Sequence, residues 1–281
     1  MKINGKTKIT GIFGYPIEHT LSPAMHNAAF QALGLNYCYV PFLVHPDFLD
    51  KAVQSVKALN LTGVNITVPH KEKVIPLLDH MNDEALFIGA VNTIVNNEGK
   101  LTGYNTDGRG FMESLAENGI SSEGKDILII GAGGSARAVG YSLCQRANSL
   151  SIQGRTSEKA KRLVQDLCRI KNNSSPIEDL ADLSRFQIII HATPLGLREQ
   201  DPMPIKAESL REGQIVYDLV YRETMLQKEA SKRQCIVLNG LGMLLWQGAL
   251  AFELWTGRKP DREIMRRALN IASSEPQGIL P

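Results

Sequence analysis

The sequence predicts an α/β protein of two domains, and three observations carry that expectation. Strand-like and helix-like segments alternate through the first hundred residues. A five-residue aliphatic run, Asp126–Ile130, breaks into a glycine turn and then an amphipathic helix reaching Arg146. Four more aliphatic runs follow before the chain closes on two helical stretches. At 281 residues the chain is long enough for two modest cores, and a hydrophobic content of 43% is ordinary for a globular protein.

Taken in order, Lys8 to Phe13 reads as a strand and Ala24 to Leu33 as a helix. Ser22-Pro23 supplies that helix with a hydroxyl N-cap and a proline at the first helical position. Tyr37 to Val44 reads as a strand, Asp47 to Leu59 as a helix, Gly63 to Val68 as a strand and Lys71 to Met81 as a helix. Gly89 to Val95, the turn Asn96-Asn97-Glu98-Gly99 and Leu101 to Asn105 form a hairpin pattern, so this sheet contains an antiparallel pair. Asp107 to Asn118 fits a helix leading into the polar loop Gly119 to Lys125. Beyond Asp126–Ile130 come strands at Ser149 to Gln153, Gln187 to His191, Gln214 to Leu219 and Cys235 to Leu238. The closing helices, Gly242 to Gly257 and Arg262 to Ser273, are expected to return to the first domain. That domain is then discontinuous, residues 1–106 with 240–281, around a second domain of residues 107–239. Glu275 to Pro281 is expected to fray.

The glycine turn gives the second domain its chemistry. Gly131, Gly133 and Ala136 occupy the small-residue positions of the dinucleotide fingerprint G-x-G-x-x-[GA]. The first allows the tight turn, the second lets a pyrophosphate approach the backbone, and the third lets helix and strand pack closely. Phosphates would sit on the unpaired amides around Ala132, Gly134 and Ser135, as in a Rossmann-type domain. The next strand ends in Gly154-Arg155-Thr156-Ser157-Glu158-Lys159, where an NAD site usually has an acid for the ribose 2′-hydroxyl. Arg155, Thr156 and Lys159 suit a 2′-phosphate instead, and Glu158 lies beyond the strand end, facing solvent. Ordinary solvated charges opening a helix are the alternative. NADP is the expected cofactor.

Composition excludes other classes. A net charge of +2 with interspersed signs gives no footprint for nucleic acid or an anionic membrane. No apolar run approaches the ~20 residues of a membrane span, and the N-terminus lacks an apolar signal core. Cys38, Cys144, Cys168 and Cys235 are widely spaced and read as free thiols in a reducing cytoplasm. The six histidines show no metal-ligand spacing, so no metal is expected.

Four stretches of the first domain combine small polar residues with one lysine and one aspartate: Gly14–Asn27 (GYPIEHTLSPAMHN), Gly63–Lys71 (GVNITVPHK), Gly89–Thr93 (GAVNT) and Gly103–Gly108 (GYNTDG). A helix start flanked by the Thr20 and Ser22 hydroxyls is a carboxylate site as well as a cap. Lys71, after Val68-Pro69, falls in the first turn of the expected helix, where the dipole would loosen its hold on a proton. Asp107, also at a helix start, is its natural partner. A surface lysine and a capping aspartate explain the same residues equally well. Asn65, Thr67, Asn92 and Gln247 suit the hydroxyls of a small ring, or else satisfy turn and strand-end backbone.

In this order, with GAGGSARA at Gly131–Ala138 and NGLGMLLWQ at Asn239–Gln247, these motifs resemble the shikimate dehydrogenase family over nearly the whole chain. The resemblance implies that Thr20 and Ser22 hold a substrate carboxylate. The family most often has serine at both positions, and Thr20 leaves room for quinate. It also implies Lys71 as the proton-transfer residue with Asp107 as its partner, and Asn65, Thr67, Asn92, Gln247 and Tyr221 as substrate binders. The family's usual proline after that tyrosine is replaced by Arg222 in a shortened loop. Gly154, Thr193, Leu219, Gly240 and Met243 join the cofactor set, with Met243 and Leu244 packing by the nicotinamide. His191-Ala192-Thr193 resembles an Asn-Ala-Thr stretch under the cofactor. His191 is expected to be structural there, and His19, His26 and His70 to be satisfied turn or core residues.

What the resemblance implies is a cytoplasmic NADP-dependent reduction of 3-dehydroshikimate to shikimate by a monomer or homodimer, in a dry cleft that closes on its ligands. An NAD-dependent quinate/shikimate dehydrogenase is one alternative, motivated by Thr20 and by Gly154 in place of a common asparagine. A catalytically silent binding module is another, opposed by the retention of Lys71 and Asp107.

Overall fold

In the computed structural model, which describes residues 2–198 and 200–274, the aliphatic runs become the strands of two sheets. The expected fraying of Glu275–Pro281 lies outside the described residues. The chain divides into two compact units, one drawn from Met1–Thr106 with Leu244–Pro281 and the other from Asp107–Met243.

The first unit contains β1 (Lys8–Gly14), α1 (Ser22–Ala32), β2 (Tyr37–Leu43), α2 (Leu49–Ala58), β3 (Gly63–Ile66), β4 (His80–Met81), α3 (Asp83–Ile88), β5 (Thr93–Asn97) and β6 (Lys100–Tyr104). Its sheet is mixed, in the order β2-β1-β3-β5-β6-β4. β1 runs parallel to β2 and β3, whereas β5 is antiparallel to both β3 and β6. One core lies against this sheet around Val53, Val56, Val64, Val91, Ile94 and Leu101, all but excluded from water.

Two elements here differ from expectation. No helix forms over 71–81; the chain makes turns, a short 3₁₀ stretch at Ile75–Leu77, and then β4. Pro76 explains it, since proline lacks the N–H a helix interior needs and disfavours helical backbone at the residue before it. The helix falls later, at α3, where the Asn82 side chain accepts from Ala85 N at 3.0 Å and Gly89 ends it at φ 68°. Gly89 is therefore a helix terminus, and β5 begins only at Thr93. The hairpin is also tighter than expected. Asn97 pairs with Lys100, leaving Glu98 (φ 52°) and Gly99 (φ 86°) as a two-residue turn.

The second unit runs α4 (Asp107–Glu117), β7 (Asp126–Ile130), α5 (Gly134–Cys144), β8 (Ser149–Gln153), α6 (Ser157–Cys168), β9 (Ser174–Pro176), β10 (Ile188–His191), β11 (Ile215–Asp218), α7 (Met225–Lys232) and β12 (Ile236–Asn239). All its strands are parallel, ordered β12-β11-β10-β7-β8-β9. Ile127, Leu128 and Ile129 have no exposed surface, because helices cover both faces of a parallel sheet. Burying each such side chain contributes about 1.5–3 kcal/mol. The sheet has the Rossmann arrangement: from β7 the chain moves outward through β8 and β9, then returns to β10 on the other side of β7.

The unit boundary falls within α8 (Gly240–Thr256), and α9 (Arg262–Ser274) follows. α9 packs on α1, and Trp255 Nε1 donates to the Ile94 carbonyl at 3.0 Å, tying α8 to β5. Among the described residues no helix is long and apolar enough to cross a membrane.

Candidate active site

In the first unit, strand direction gathers the polar residues at one end of the sheet. Register aligns Ile12, Asn65, Thr93 and Tyr104 in one row across β1, β3, β5 and β6. Asn65 and Asn92 are 4% and 2% exposed, so their amides must find partners inside. Asn65 Nδ2 donates to the Asn92 carbonyl (3.1 Å) and to Thr93 Oγ1 (3.0 Å), while its Oδ1 accepts from the Tyr39 hydroxyl (2.7 Å). Asn92 Nδ2 donates to Thr106 Oγ1 (2.9 Å) and to Gln247 Oε1 (3.4 Å), and its Oδ1 accepts from Thr106 N (2.9 Å). Thr106 Oγ1 in turn donates to the Gln247 carbonyl at 3.1 Å.

Both N–H groups of Asn65 are thus used within the fold. Burial drives the Tyr39 pKa well above the ordinary phenol value, against an opposing hydrogen bond with Ser22, so Tyr39 remains a neutral donor to Asn65.

Ser22 does not cap α1. It is the first helical residue, Leu21 holds the cap position without a side-chain bond, and Pro23 comes second. The Ser22 amide instead donates to Thr20 Oγ1 at 3.4 Å, so Thr20 and Ser22 remain adjacent, half-buried and buried respectively. Thr67 is half-buried beyond β3 and packs on Gly14, where an added Cβ would stand 2.5 Å from Thr67 Cγ2. Lys71 is half-buried, and its carbonyl accepts from Val91 N at 2.8 Å, which fixes it beside the Asn92 segment. The helix expected at 71–81, whose dipole would act on the ammonium, does not form. Gln247, 9% exposed, also donates from Nε2 to the Leu244 carbonyl at 2.8 Å.

The neighbouring histidines belong to the framework. His26 is fully buried, stacked 4.4 Å from Tyr39, and burial lowers its pKa to about 3. Neither ring nitrogen has a hydrogen-bond partner among the described residues, so His26 is a core residue but not a satisfied one. His70 Nε2 lies 2.8 Å from the Val44 carbonyl, and burial lowers its pKa too. His19 is exposed.

In the second unit, the backbone around β7 requires its glycine. Gly131 sits at φ 132°, and an added Cβ would lie 2.6 Å from the Ala192 carbonyl oxygen. Gly133 caps α5 in extended conformation with no side-chain bond, so the amides of Gly134, Ser135 and Ala136 open the helix. Gly131 N donates to the Gln153 carbonyl at 2.7 Å, and Gly154 packs on Ala132. The end of β8 therefore lies against the glycine turn, with Arg155, Thr156 and Lys159 exposed beside it. Glu158 faces solvent as expected, its side chain 74% exposed and 3.7 Å from Lys161.

On the other side of β7, Gly240 N donates to the Val220 carbonyl at 3.2 Å, and its added Cβ would meet the Leu219 carbonyl at 2.2 Å and the Tyr221 ring at 3.2 Å. Leu219, Tyr221 and Gly240 are thus brought together, and buried Met243 lies one turn on. Tyr221 is 42% exposed as a residue, yet burial of its phenol end, together with the Asp107 charge, raises its pKa. Asp107 itself is 4% exposed at the start of α4.

Below the strand ends lies a buried polar chain. His191 Nδ1 is 2.9 Å from Asp218 Oδ1, and His191 Nε2 is 2.5 Å from Thr193 Oγ1. Asp218 Oδ2 accepts from Thr224 Oγ1 at 2.6 Å and from Gln227 Nε2 at 3.2 Å. Burial alone would raise the Asp218 pKa, but bonds from His191 and Thr224 outweigh it and hold the carboxyl below its ordinary value.

A cavity of about 370 Å³ in this unit is lined by His191 and Thr224 of that chain, with Leu195, Met203, Arg222 and Met225 also in its wall. It contains none of the residues expected in the site. The pattern of the sequence leaves Tyr39, Thr106 and Asp218 unassigned. Thr106 and Asp218 lie inside or beside recognisable motifs, whereas nothing local distinguishes Tyr39 from any strand tyrosine.

Comparison with known proteins covers both units. A family model described as the shikimate dehydrogenase substrate binding domain matches residues 12–94. One described as shikimate / quinate 5-dehydrogenase matches 114–198, and the shikimate 5′-dehydrogenase C-terminal domain matches 240–269. A shikimate dehydrogenase (NADP(+)) of Carboxydothermus hydrogenoformans is 45% identical over 280 residues, covering 97% of this chain and 100% of that protein. A crystal structure of a shikimate dehydrogenase in complex with NADP+ superposes with a TM-score of 0.90 at 44% identity, over 96% of this chain and 97% of that one. The shikimate 5-dehydrogenase of Thermus thermophilus, in complex with NADP(H) and shikimate, gives 0.87 at 37% identity, over 95% and 100%.

Proposed function

The chain belongs to the shikimate dehydrogenase family, and on that premise we propose how its residues carry the reversible, NADP-dependent reduction of 3-dehydroshikimate to shikimate. The family's reaction is a step of aromatic amino-acid biosynthesis. Its cofactor fits this chain: a Gly131 where a Cβ would crowd the Ala192 carbonyl, open amides at the start of α5, and exposed Arg155, Thr156 and Lys159 with Glu158 turned to solvent. Gly131 to Ala136 hold the pyrophosphate, and Gly154, Arg155, Thr156 and Lys159 the 2′-phosphate. Thr193, Leu219, Gly240 and Met243 take the nicotinamide half. When bound, NADPH supplies the hydride for the ring carbonyl carbon.

Thr20 and Ser22 bind the substrate carboxylate. Thr67, Asn92, Gln247 and Tyr221 bind the ring hydroxyls, with Asn65 supporting Asn92 from beneath. Lys71 donates a proton to the oxygen that becomes the hydroxyl and recovers it in the reverse direction, with Asp107 as the carboxylate of the pair. The observation that carries this reading is the Asn92–Thr106–Gln247 network. It fixes a set of polar groups beside the anchored Lys71 segment, a preorganisation that positioning catalysis requires. We further infer a cytoplasmic setting, which suits four free cysteines.

A turnover panel crossing shikimate and quinate with NADP+ and NAD+ tests the assignment. Shikimate with NADP+ is the expected best pair, and preference for NAD+ would refute the cofactor assignment. Lys71→Ala should lower kcat by about 10²–10⁴ while NADP+ still binds. Unchanged turnover would remove Lys71 from the chemistry.

A further inference from the structure

The segment after β10 lies where an open parallel sheet binds its ligand. The chain leaves β7 for β8 on one side and reaches β10 on the other, so the crevice at the carboxyl ends of β7 and β10 is the topological switch point. Ala192 packs directly against Gly131 there, with its N–H donating to the Ile130 carbonyl at 2.8 Å, and half-buried Thr193 comes next.

Hydrogen-bond direction can be traced outward from the buried acid. Asp218 has no exposed surface and, as a carboxylate, only accepts. Its Oδ1 therefore takes the proton carried on His191 Nδ1, in a ring that is itself 1% exposed. In the neutral ring this leaves Nε2 bare, an acceptor, and the Thr193 hydroxyl must donate its only proton to it. Thr193 Oγ1 already accepts from Leu195 N at 3.2 Å, and one lone pair remains.

We propose that Asp218 and His191 set the direction of the Thr193 hydroxyl, so that Thr193 meets the nicotinamide riboside half of the cofactor as a hydrogen-bond acceptor and selects a donor group on it. This rests on the dehydrogenase reading above. His191 and Asp218 are positioning residues; neither touches the ligand. The donor is an N–H of the carboxamide or a ribose hydroxyl.

The test uses His191→Asn, Thr193→Val and Thr193→Ser in the full chain, with NADP+ affinity measured by calorimetry alongside KM and kcat. Asparagine keeps an N–H for Asp218 but stops short of Thr193, so the acid stays paired while the relay is cut. His191→Asn and Thr193→Val should each weaken NADP+ binding about fivefold, the worth of one hydrogen bond, and raise KM for NADP+ by a similar factor. Thr193→Ser should restore affinity to within about twofold, and the Asn/Val double variant should bind no worse than either single variant.

The acetylpyridine analogue of NADP+, which lacks the carboxamide N–H, separates the donors. A Thr193→Val penalty that vanishes with the analogue identifies the carboxamide, and one that persists identifies the ribose. Wild-type affinity in His191→Asn, or penalties that multiply in the double variant, would overturn the proposal. Absence of NADP-linked turnover in the wild type would defeat the dehydrogenase reading instead, while the calorimetric ratios would still judge the relay.

Discussion

Acid should weaken the first unit most strongly through the His26 ring, with the lowered His70 acting in the same direction. Buried among Tyr39, Phe252 and Trp255, its imidazole has a pKa lowered from 6.5 to about 3. In the unfolded chain the ring takes up a proton near its ordinary value, whereas in the fold it stays neutral down to about 3. Between those values the unfolded state binds more protons, so this contribution to stability is intact above 6.5 and falls as pH drops through the window. Each pH unit costs about 1.4 kcal/mol, so the loss at about pH 4.5 is ~2.7 kcal/mol. With a urea slope of about 2 kcal/mol/M, that is a midpoint shift of ~1.4 M.

Carboxylates titrate over the same range, so the control is His26→Phe. Because neither ring nitrogen has a partner among the described residues, phenylalanine removes the titration without breaking a hydrogen bond seen there. Both tryptophans of the chain, Trp246 and Trp255, lie in the first unit, and their fluorescence therefore follows its unfolding. The midpoint difference between the two proteins should widen by ~1.4 M between about pH 7 and pH 4.5. A difference that stays constant across that range would refute the reasoning.

Three further outcomes follow from the geometry. Arg155→Ala should raise KM for NADP+ about 10- to 100-fold, the worth of a charge-assisted bond to a phosphate, and leave KM for NAD+ unchanged; parallel rises with both cofactors would count against it. Gly131→Ala puts a Cβ 2.6 Å from the Ala192 carbonyl at φ 132°, so thermal unfolding should reveal a loss of about 1–3 kcal/mol together with weakened NADP+ binding. Tyr39→Phe removes the donor to Asn65 Oδ1 and should destabilise the first unit by about 1–3 kcal/mol in urea; an unchanged midpoint would mean that Asn65 finds another donor.

What can be read in the sequence is local. The boundaries of β7 and β8 come directly from apolar runs ended by Gly131 and Gly154, because a strand buried on both faces needs no help from distant residues to declare itself. Apolar spacing alone suggests a helix over 71–81, but Pro76 sits inside it, and a missing N–H overrides periodicity. The cap at Asn82-Asp83-Glu84 is an equally local signal, and it marks the helix that does form. The network through Tyr39, Asn65, Asn92, Thr106 and Gln247 is different in kind. Its partners lie up to 155 residues apart, and only the folded sheet shows that an asparagine suited to a ligand hydroxyl is already occupied by the protein. The Asp218–His191–Thr193 chain needs both the β10–β11 register, which pairs His191 with Asp218, and the turn that follows it.

The bond from Trp255 to Ile94 spans 161 residues, and everything from Asp107 to Met243 is translated in between. On the ribosome, then, the part of the chain made first finishes last. At roughly 5–20 residues per second, β5 waits about ten seconds or more for the helix that will cover it. The inserted unit, continuous in sequence, has by then emerged whole and can mature unaided. A chaperone that shields nascent chains would find its main task in the N-terminal hundred residues, and a premature stop before α8 would strand them without a lid.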